Sequence, residues 1–301
     1  MIRKVGLFLG MTFAINWLMA GMFWALGGKW NTPSSMIIGV LYMFIPAICV
    51  VIVQKGIYRQ PLKLPLGISL RLNRWFLVAW FLPLILSLAS MGVGLLLPDI
   101  SFSPDASGFF ERYSSILPPE KLEEMRRQMD KMPINPIWLS LIQGLIAGVT
   151  INAVAAFGEE LGWRGFLQME LSGMGFWKSS LLIGLIWGIW HAPIILQGHN
   201  YPQHPVMGVL MMTIFCLLLG PIFSYIRVKS RSVIAAAVTH GSLNGTAGIS
   251  ILLLKGGSDL TVGLFGLSGF IILALTNLIL FLAWRHGGDD LAFPDVIRGA
   301  T

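Results

Sequence analysis

Residues 76–97 read Phe-Leu-Val-Ala-Trp-Phe-Leu-Pro-Leu-Ile-Leu-Ser-Leu-Ala-Ser-Met-Gly-Val-Gly-Leu-Leu-Leu, with no charged side chain among them. Coiled as a helix, a stretch of this length covers the roughly 30 Å of a bilayer's hydrocarbon core. Seven more stretches of similar character flank it, at about 5–26, 36–54, 137–157, 178–198, 206–226, 232–253 and 262–284. The whole chain of 301 residues shares the bias: 55% of it is hydrophobic and 12% charged, whereas a soluble domain carries about 25% charged residues. Such a composition excludes a water-soluble globule, and it excludes disorder, which needs low hydrophobicity with high charge. Glycine and proline are scattered through the apolar stretches without a ten-residue alternation, which points to helices and away from an outer-membrane barrel. The expected fold is all-α, a polytopic transmembrane helical bundle with about eight spanning helices forming a single integral membrane domain over residues 1–301.

The net charge of +7 raises the question of a nucleic-acid partner, and the positions of the charges answer it. With the N-terminus in the cytoplasm, 14 of the 21 basic residues fall on the inner side, among them Lys55, Arg59, Lys63, Arg71 and Arg74. The short outer loops hold only Lys29 and Lys255, and the other five lie in the long segment 98–136. Lysine and arginine collect in cytoplasmic loops, so the charge reports orientation and no nucleic-acid partner is expected. The reading is a multi-pass cell membrane protein with both termini cytoplasmic. The first apolar stretch follows Arg3-Lys4 as a signal peptide would, but it is too long and no small-residue cleavage site ends it, so it is read as a retained helix. Cys49 and Cys216, the two cysteines, both sit in apolar runs, which leaves no disulfide framework and no cysteine zinc site. The segment 98–136 is expected to be an extracytoplasmic loop. Within it, Pro118-Pro119 start a helix that places Leu122, Met125, Met129 and Met132 on one stripe, an amphipathic surface helix that reads as a solvated cap before a substrate-gating lid.

An ionisable side chain inside a spanning helix costs at least about 2.5–3.5 kcal/mol near mid-membrane, so each one needs a reason. The run Phe157-Gly-Glu-Glu-Leu-Gly-Trp-Arg164 places Glu160 and Arg164 one turn apart in the favourable order, while Glu159 points about 100° away. One carboxylate is expected to be neutralised and one left over. In Trp187-Gly-Ile-Trp-His191-Ala-Pro193, the proline removes a backbone donor and loosens the helix at the histidine. His240 and Asn244 lie four apart, on one face, where both can donate hydrogen bonds in the same direction, as a developing oxyanion requires. Each group also has a plain reading: an interfacial charge cluster, a histidine bonded to a neighbouring helix, polar glue between helices. Small-residue spacings at Gly144/Gly148, Gly184/Gly188 and Gly241/Gly245 on the same three helices favour convergence, in a shared cavity opening toward the cytoplasmic half of the bilayer.

These residues resemble the CAAX prenyl protease and bacteriocin-processing family, relatives of the Rce1-type prenyl endopeptidase. Glu159-Glu160 followed by three residues and Arg164, an aromatic residue ahead of His191, and His240 with Asn244 four later match its three motifs in order and spacing. Trp187 stands where the family usually has phenylalanine. The resemblance covers a catalytic core at about 137–253 and implies a membrane-embedded protease. In that reading Glu159 is the general base, His191 holds the water, and His240 and Asn244 form the oxyanion hole. Glu160, Arg164 and Trp187 support them. The implied partners are the lipid bilayer and a membrane-associated or lipidated peptide substrate. No cofactor is favoured; a zinc ion, if present, would be held by Glu159, His191 and His240. The stretch from Asp289 to Thr301 lacks a terminal cysteine motif, so the chain is not expected to be a prenyl substrate itself. Two readings of other classes stand beside the enzyme: a transporter or proton-relay protein, and a non-catalytic peptide-binding immunity or scaffold protein of the same fold.

Overall fold

The computed structural model describes residues 2–286 apart from Asn31, Ser115 and Ile116; the tail from Asp289 to Thr301 lies outside the described residues. The chain begins with α1 (Ile2–Ala25) and α2 (Pro33–Val50), the latter running on as a wider π-helical stretch, Val51–Ile57. Next come α3 (Arg74–Gly94), a short strand β1 (Ser101–Phe102), α4 (Ser107–Tyr113) and α5 (Pro119–Asp130). The central part is α6 (Pro136–Val149), α7 (Ile151–Glu160), a π-helical segment Leu161–Leu167, α8 (Gln168–Glu170), α9 (Phe176–Trp190) and α10 (Ala192–Ile195). Last are α11 (Pro205–Ser230), α12 (Val233–Thr246), α13 (Ile249–Leu252), strand β2 (Leu254–Lys255) and α14 (Leu267–His286). The all-α polytopic architecture expected from the apolar stretches is what the chain adopts.

By length and composition, Ile2–Ala25, Ser34–Ile57, Arg74–Gly94 and Pro205–Ser230 can each cross a bilayer, and Pro136–Val149 with Ile151–Glu170 passes the same test only as a pair bent by 48°. The remaining three of the eight expected spans form shorter helices: α9 has 15 residues, α12 has 14 and α14 has 20. Local chemistry explains two of these. Pro193 cannot continue the hydrogen-bond ladder of α9, and α12 is buried along nearly its whole length, so it needs no long stripe facing lipid. The stretch 137–157, expected as one spanning helix, also differs. It bends at Thr150, where φ −118° and ψ −105° leave the helical region, and then continues as helix to Glu170. Glu159 thereby lies in the middle of the helical run Ile151–Glu170 instead of at a helix end.

Glycines set the closest approaches. A Cβ on Gly144 of α6 would fall on the carbonyl oxygen of Gly245 in α12, and one on Gly245 would fall on that of Gly144. Gly241 sits 2.5 Å, measured from such a Cβ, from both the Ala153 nitrogen and the Gly148 oxygen. The expected packing of these two segments therefore holds. The third pair behaves differently: Gly184 and Gly188 of α9 meet Cys216 and Thr213 of α11, so α9 turns its glycine face to α11 and its aromatic face inward. This close backbone packing is the means by which membrane helices associate without a hydrophobic driving force.

The two ends of the bundle are each tied by contacts between distant segments. At one end, Lys4 Nζ donates to Gln54 Oε1 and Gln60 Oε1, both at 2.7 Å, and pairs with Glu170. Asn73 Nδ2 donates to the Ser230 carbonyl at 3.0 Å on the same side. At the other end, β1 and β2 pair antiparallel, Ser101 with Lys255 and Phe102 with Leu254. Arg112 donates to the carbonyls of Gly256 (2.7 Å) and Leu254 (2.6 Å). The helix expected after Pro118 starts at Pro119, with Leu122, Met125 and Met129 half-buried and its charged residues exposed. Met132 lies past its end and is exposed.

Candidate active site

The π-helical segment Leu161–Leu167 follows directly on Glu160, and all seven of its residues are buried. Within it Arg164 Nη1 donates to Glu160 Oε1 at 3.1 Å, and both side chains are fully buried. The guanidinium lies against two aromatic rings, 4.5 Å from the Trp187 ring centre and 4.8 Å from that of Phe223. Such stacking suits the planar arginine fork. Glu160 Oε1 also accepts from His240 Nδ1 at 2.9 Å. Glu160 is thus the paired carboxylate, and it anchors a helix that the sequence places 80 residues away. Glu159 points elsewhere, and among the described residues no lysine or arginine pairs with it. Its Oε2 instead accepts from the indole nitrogens of Trp187 (2.8 Å) and Trp163 (3.4 Å).

The end of α9 shows how a proline prepares a histidine. The His191 amide bonds back to Gly188 at 3.2 Å, three residues away instead of four, and the Ile194 amide bonds to His191 at 3.1 Å. This tightening leaves the carbonyls of Trp187 and Trp190 without their usual helical donors. His191 Nδ1 takes up the first at 2.8 Å; Tyr42 Oη (2.9 Å) and Trp17 Nε1 (3.2 Å) donate to the second. A carbonyl only accepts, so Nδ1 of His191 carries the proton and Nε2 is left with a lone pair.

Glu159, His191, His240 and Asn244 all line one cavity of about 480 Å³. Trp187 lines it too and links the group: its indole bonds Glu159, and its ring lies 5.7 Å from that of His191 and 5.4 Å from that of His240. Glu160 and Arg164 stay behind this wall. Every site residue expected from the sequence is therefore either in the cavity or directly beneath it. Sequence reasoning missed Tyr42, Trp163 and His199. Tyr42 and His199 line the cavity, and the ring of His199 packs 5.0 Å from that of Trp30. Trp163 sits inside the first motif and could have been noticed as a donor; Tyr42 is a lone polar tip in an apolar span.

The cavity's lining runs toward one end of the bundle. Beyond the histidines the cavity is walled by Trp30, Tyr113, Asn200, Pro202 and Phe265, all at the end of the bundle that carries β1, β2 and the segment before Pro136. The reading of the sequence had it open toward the end with Lys55 and Arg71. Among the described residues no three histidine, cysteine, aspartate or glutamate side chains form a set able to hold a metal ion, and Glu159 Oε2 is already engaged by two indoles.

Fold and site define a helical membrane protein with a glutamate, two histidines and an asparagine around an internal cavity. Residues 135–246 match the family described as type II CAAX prenyl endopeptidase Rce1-like, which bears out the resemblance read from the three motifs. One curated relative, CAAX prenyl protease 2 of Methanococcus maripaludis, is 34% identical over 98 residues, 30% of this chain and 36% of that protein. The match spans about a third of that relative's length.

Proposed function

We propose that the chain is an intramembrane endopeptidase that hydrolyses a peptide bond in a membrane-associated or lipidated peptide, with Glu159 as general base. One observation carries the reading: Glu159, His191, His240 and Asn244 share a single cavity while the second carboxylate, Glu160, is consumed by Arg164 and His240. Water bonded to the Nε2 lone pair of His191 gives a proton to Glu159 as its oxygen attacks the scissile carbonyl carbon. The carbonyl oxygen becomes an oxyanion, to which His240 Nε2 and the Asn244 amide donate. Because the Nδ1 proton of His240 is directed at Glu160, donation from Nε2 requires the imidazolium, and the Glu160 carboxylate supplies its counter-charge. As the carbon–nitrogen bond breaks, Glu159 returns the proton to the leaving amine, which yields a carboxylic acid, an amine and the starting enzyme.

The donor set does not favour a zinc route. Glu159, His191 and His240 do not come together as a metal-holding group among the described residues, so no step is drawn through an ion. The family match over 135–246 and the name of the Methanococcus relative support a lipidated peptide as substrate class. The test is cleavage of a quenched membrane peptide by purified protein in lipid. Positioned general bases contribute about 10²–10⁴-fold, so Glu159→Gln should lose at least about a hundredfold with its thermal unfolding unchanged. Full activity in that variant contradicts the mechanism.

A further inference from the structure

We propose that α1 and α2, which lie ahead of the family-matched segment 135–246, complete the active site: Tyr42 of α2 is a positioning residue that holds the turn presenting His191 to the water. The proposal rests on the hydrolase reading above. Where Pro193 interrupts the ladder at the end of α9, the Trp190 carbonyl, next to His191, is left without its helical donor. A buried carbonyl needs a partner. Tyr42 Oη supplies one bond at 2.9 Å, and Trp17 Nε1 of α1 supplies a second at 3.2 Å. His191 is itself tied to this turn through Nδ1 and the Trp187 carbonyl. The direction of its Nε2 lone pair therefore follows the backbone of residues 187–191.

Tyr42 is fixed at its backbone, its ring and its hydroxyl. Its own carbonyl accepts from Asn16 Nδ2 of α1 at 2.9 Å, and both residues are buried. Its ring packs on that of Trp190 with centres 4.5 Å apart. The Trp190 ring in turn meets His191 edge-on at 4.8 Å and Trp163 at 5.6 Å, and Trp163 donates to Glu159. One tyrosine thus braces the histidine that holds the water and, through Trp190, a donor to the base. Phenylalanine would fill the same space without the cost of burying a hydroxyl, so the bond to the Trp190 carbonyl is what the hydroxyl contributes. Tyr42 and Trp17 serve one acceptor, so each covers in part for the loss of the other.

The test measures kcat and KM separately, with full-length protein in lipid and a quenched membrane peptide. Displacing a catalytic group by about 1 Å can cost up to about a hundredfold, so Tyr42→Phe, which keeps the ring, should lower kcat about ten- to a hundredfold with KM nearly unchanged. Trp17→Phe alone should cost less, and the double variant should lose more than the product of the two single losses, as groups sharing a partner do. Tyr201→Phe is the control: Tyr201 is equally buried and its Oη donates to the Phe265 carbonyl at 2.8 Å, away from Trp190, so kcat should stay at the wild-type value. Equal loss in Tyr201→Phe and Tyr42→Phe, or single losses that simply multiply, overturns the proposal. So does an unchanged kcat in Tyr42→Phe and the double variant, with the hydrolase reading left standing. Should Tyr42→Phe fail to accumulate, Asn16→Ala, which frees the Tyr42 backbone from α1, should show the same fall in kcat, and no fall overturns the proposal equally. No cleavage by the wild-type protein refutes the hydrolase reading. The nitrogen-15 spectrum of labelled histidine still decides the brace: the His191 signal, assigned with His191→Gln, should change in the double variant and stay in Tyr201→Phe, and an unchanged signal in both overturns it.

Discussion

Trp187 is the residue on which the site turns. Its indole N–H bonds Glu159 at 2.8 Å, its face carries the Arg164 guanidinium, and its ring lies between His191 and His240. A phenylalanine, the usual residue of the resembling family, keeps the ring and loses the donor. Hydrogen bonds to charged groups are worth about 1.5–3 kcal/mol, so Trp187→Phe should lower kcat/KM by roughly ten- to a hundredfold with KM little changed; steady-state kinetics showing no loss would remove the indole from the account. Arg164 acts through burial. Removing one partner of a buried ion pair costs about 3–5 kcal/mol, so Arg164→Met should lower the unfolding temperature in detergent, whereas Lys in its place keeps charge but not stacking. Outside the membrane, Asp105 accepts from Ser103 Oγ at 2.6 Å and the Ser107 amide at 3.1 Å. These bonds hold its carboxyl down to about 2 from 3.8. With the folded value below the unfolded one, the turn's stabilisation is present above about 3.8 and is lost as pH falls through about 2. A carboxyl NMR titration should show that low midpoint; one near 3.8 would contradict it.

At the scale of elements, the α6–α7–α12 packing decides whether the site assembles. A Cβ at Gly241 would meet the backbone of both Gly148 and Ala153, one turn from the residues that bring His240 to Glu160. Overpacking of this kind costs about 1–3 kcal/mol, and Gly241→Ala should lower both thermal stability and cleavage. Gly92→Ala in α3, where nothing lies within 4 Å, should leave both unchanged; equal damage from the two would refute a specific role for the close approach. This packing and the site were legible for different reasons. The apolar stretches and the four-residue spacings of Glu160 with Arg164 and His240 with Asn244 are local periodicities, and these appear directly as helices and helix faces. The bend at Thr150 and the α9–α11 contact depend on which backbone lies opposite, and β1–β2 pairs only two residues of each strand across a separation of about 150 residues; one-dimensional patterning carries none of these. The donors to Glu159 were hidden too, since tryptophan in a membrane helix reads first as apolar bulk.

Over the whole molecule, the charge asymmetry and the cavity have to be read together. The scarcity of charge first excluded solubility; the same scarcity makes the buried Glu159, Glu160 and Arg164 conspicuous, because each has to justify its desolvation. Two of the three justify it by pairing, and Glu159 faces the cavity, where it accepts from the indoles of Trp187 and Trp163. The central claim, that Glu159 cuts a membrane-borne peptide, is tested most directly by comparing membrane peptides in native cells that express wild-type or Glu159→Ala protein. The account expects at least one uncut precursor to be retained in the Glu159→Ala cells and to disappear when wild-type protein is restored; identical peptide populations in the two strains would contradict it.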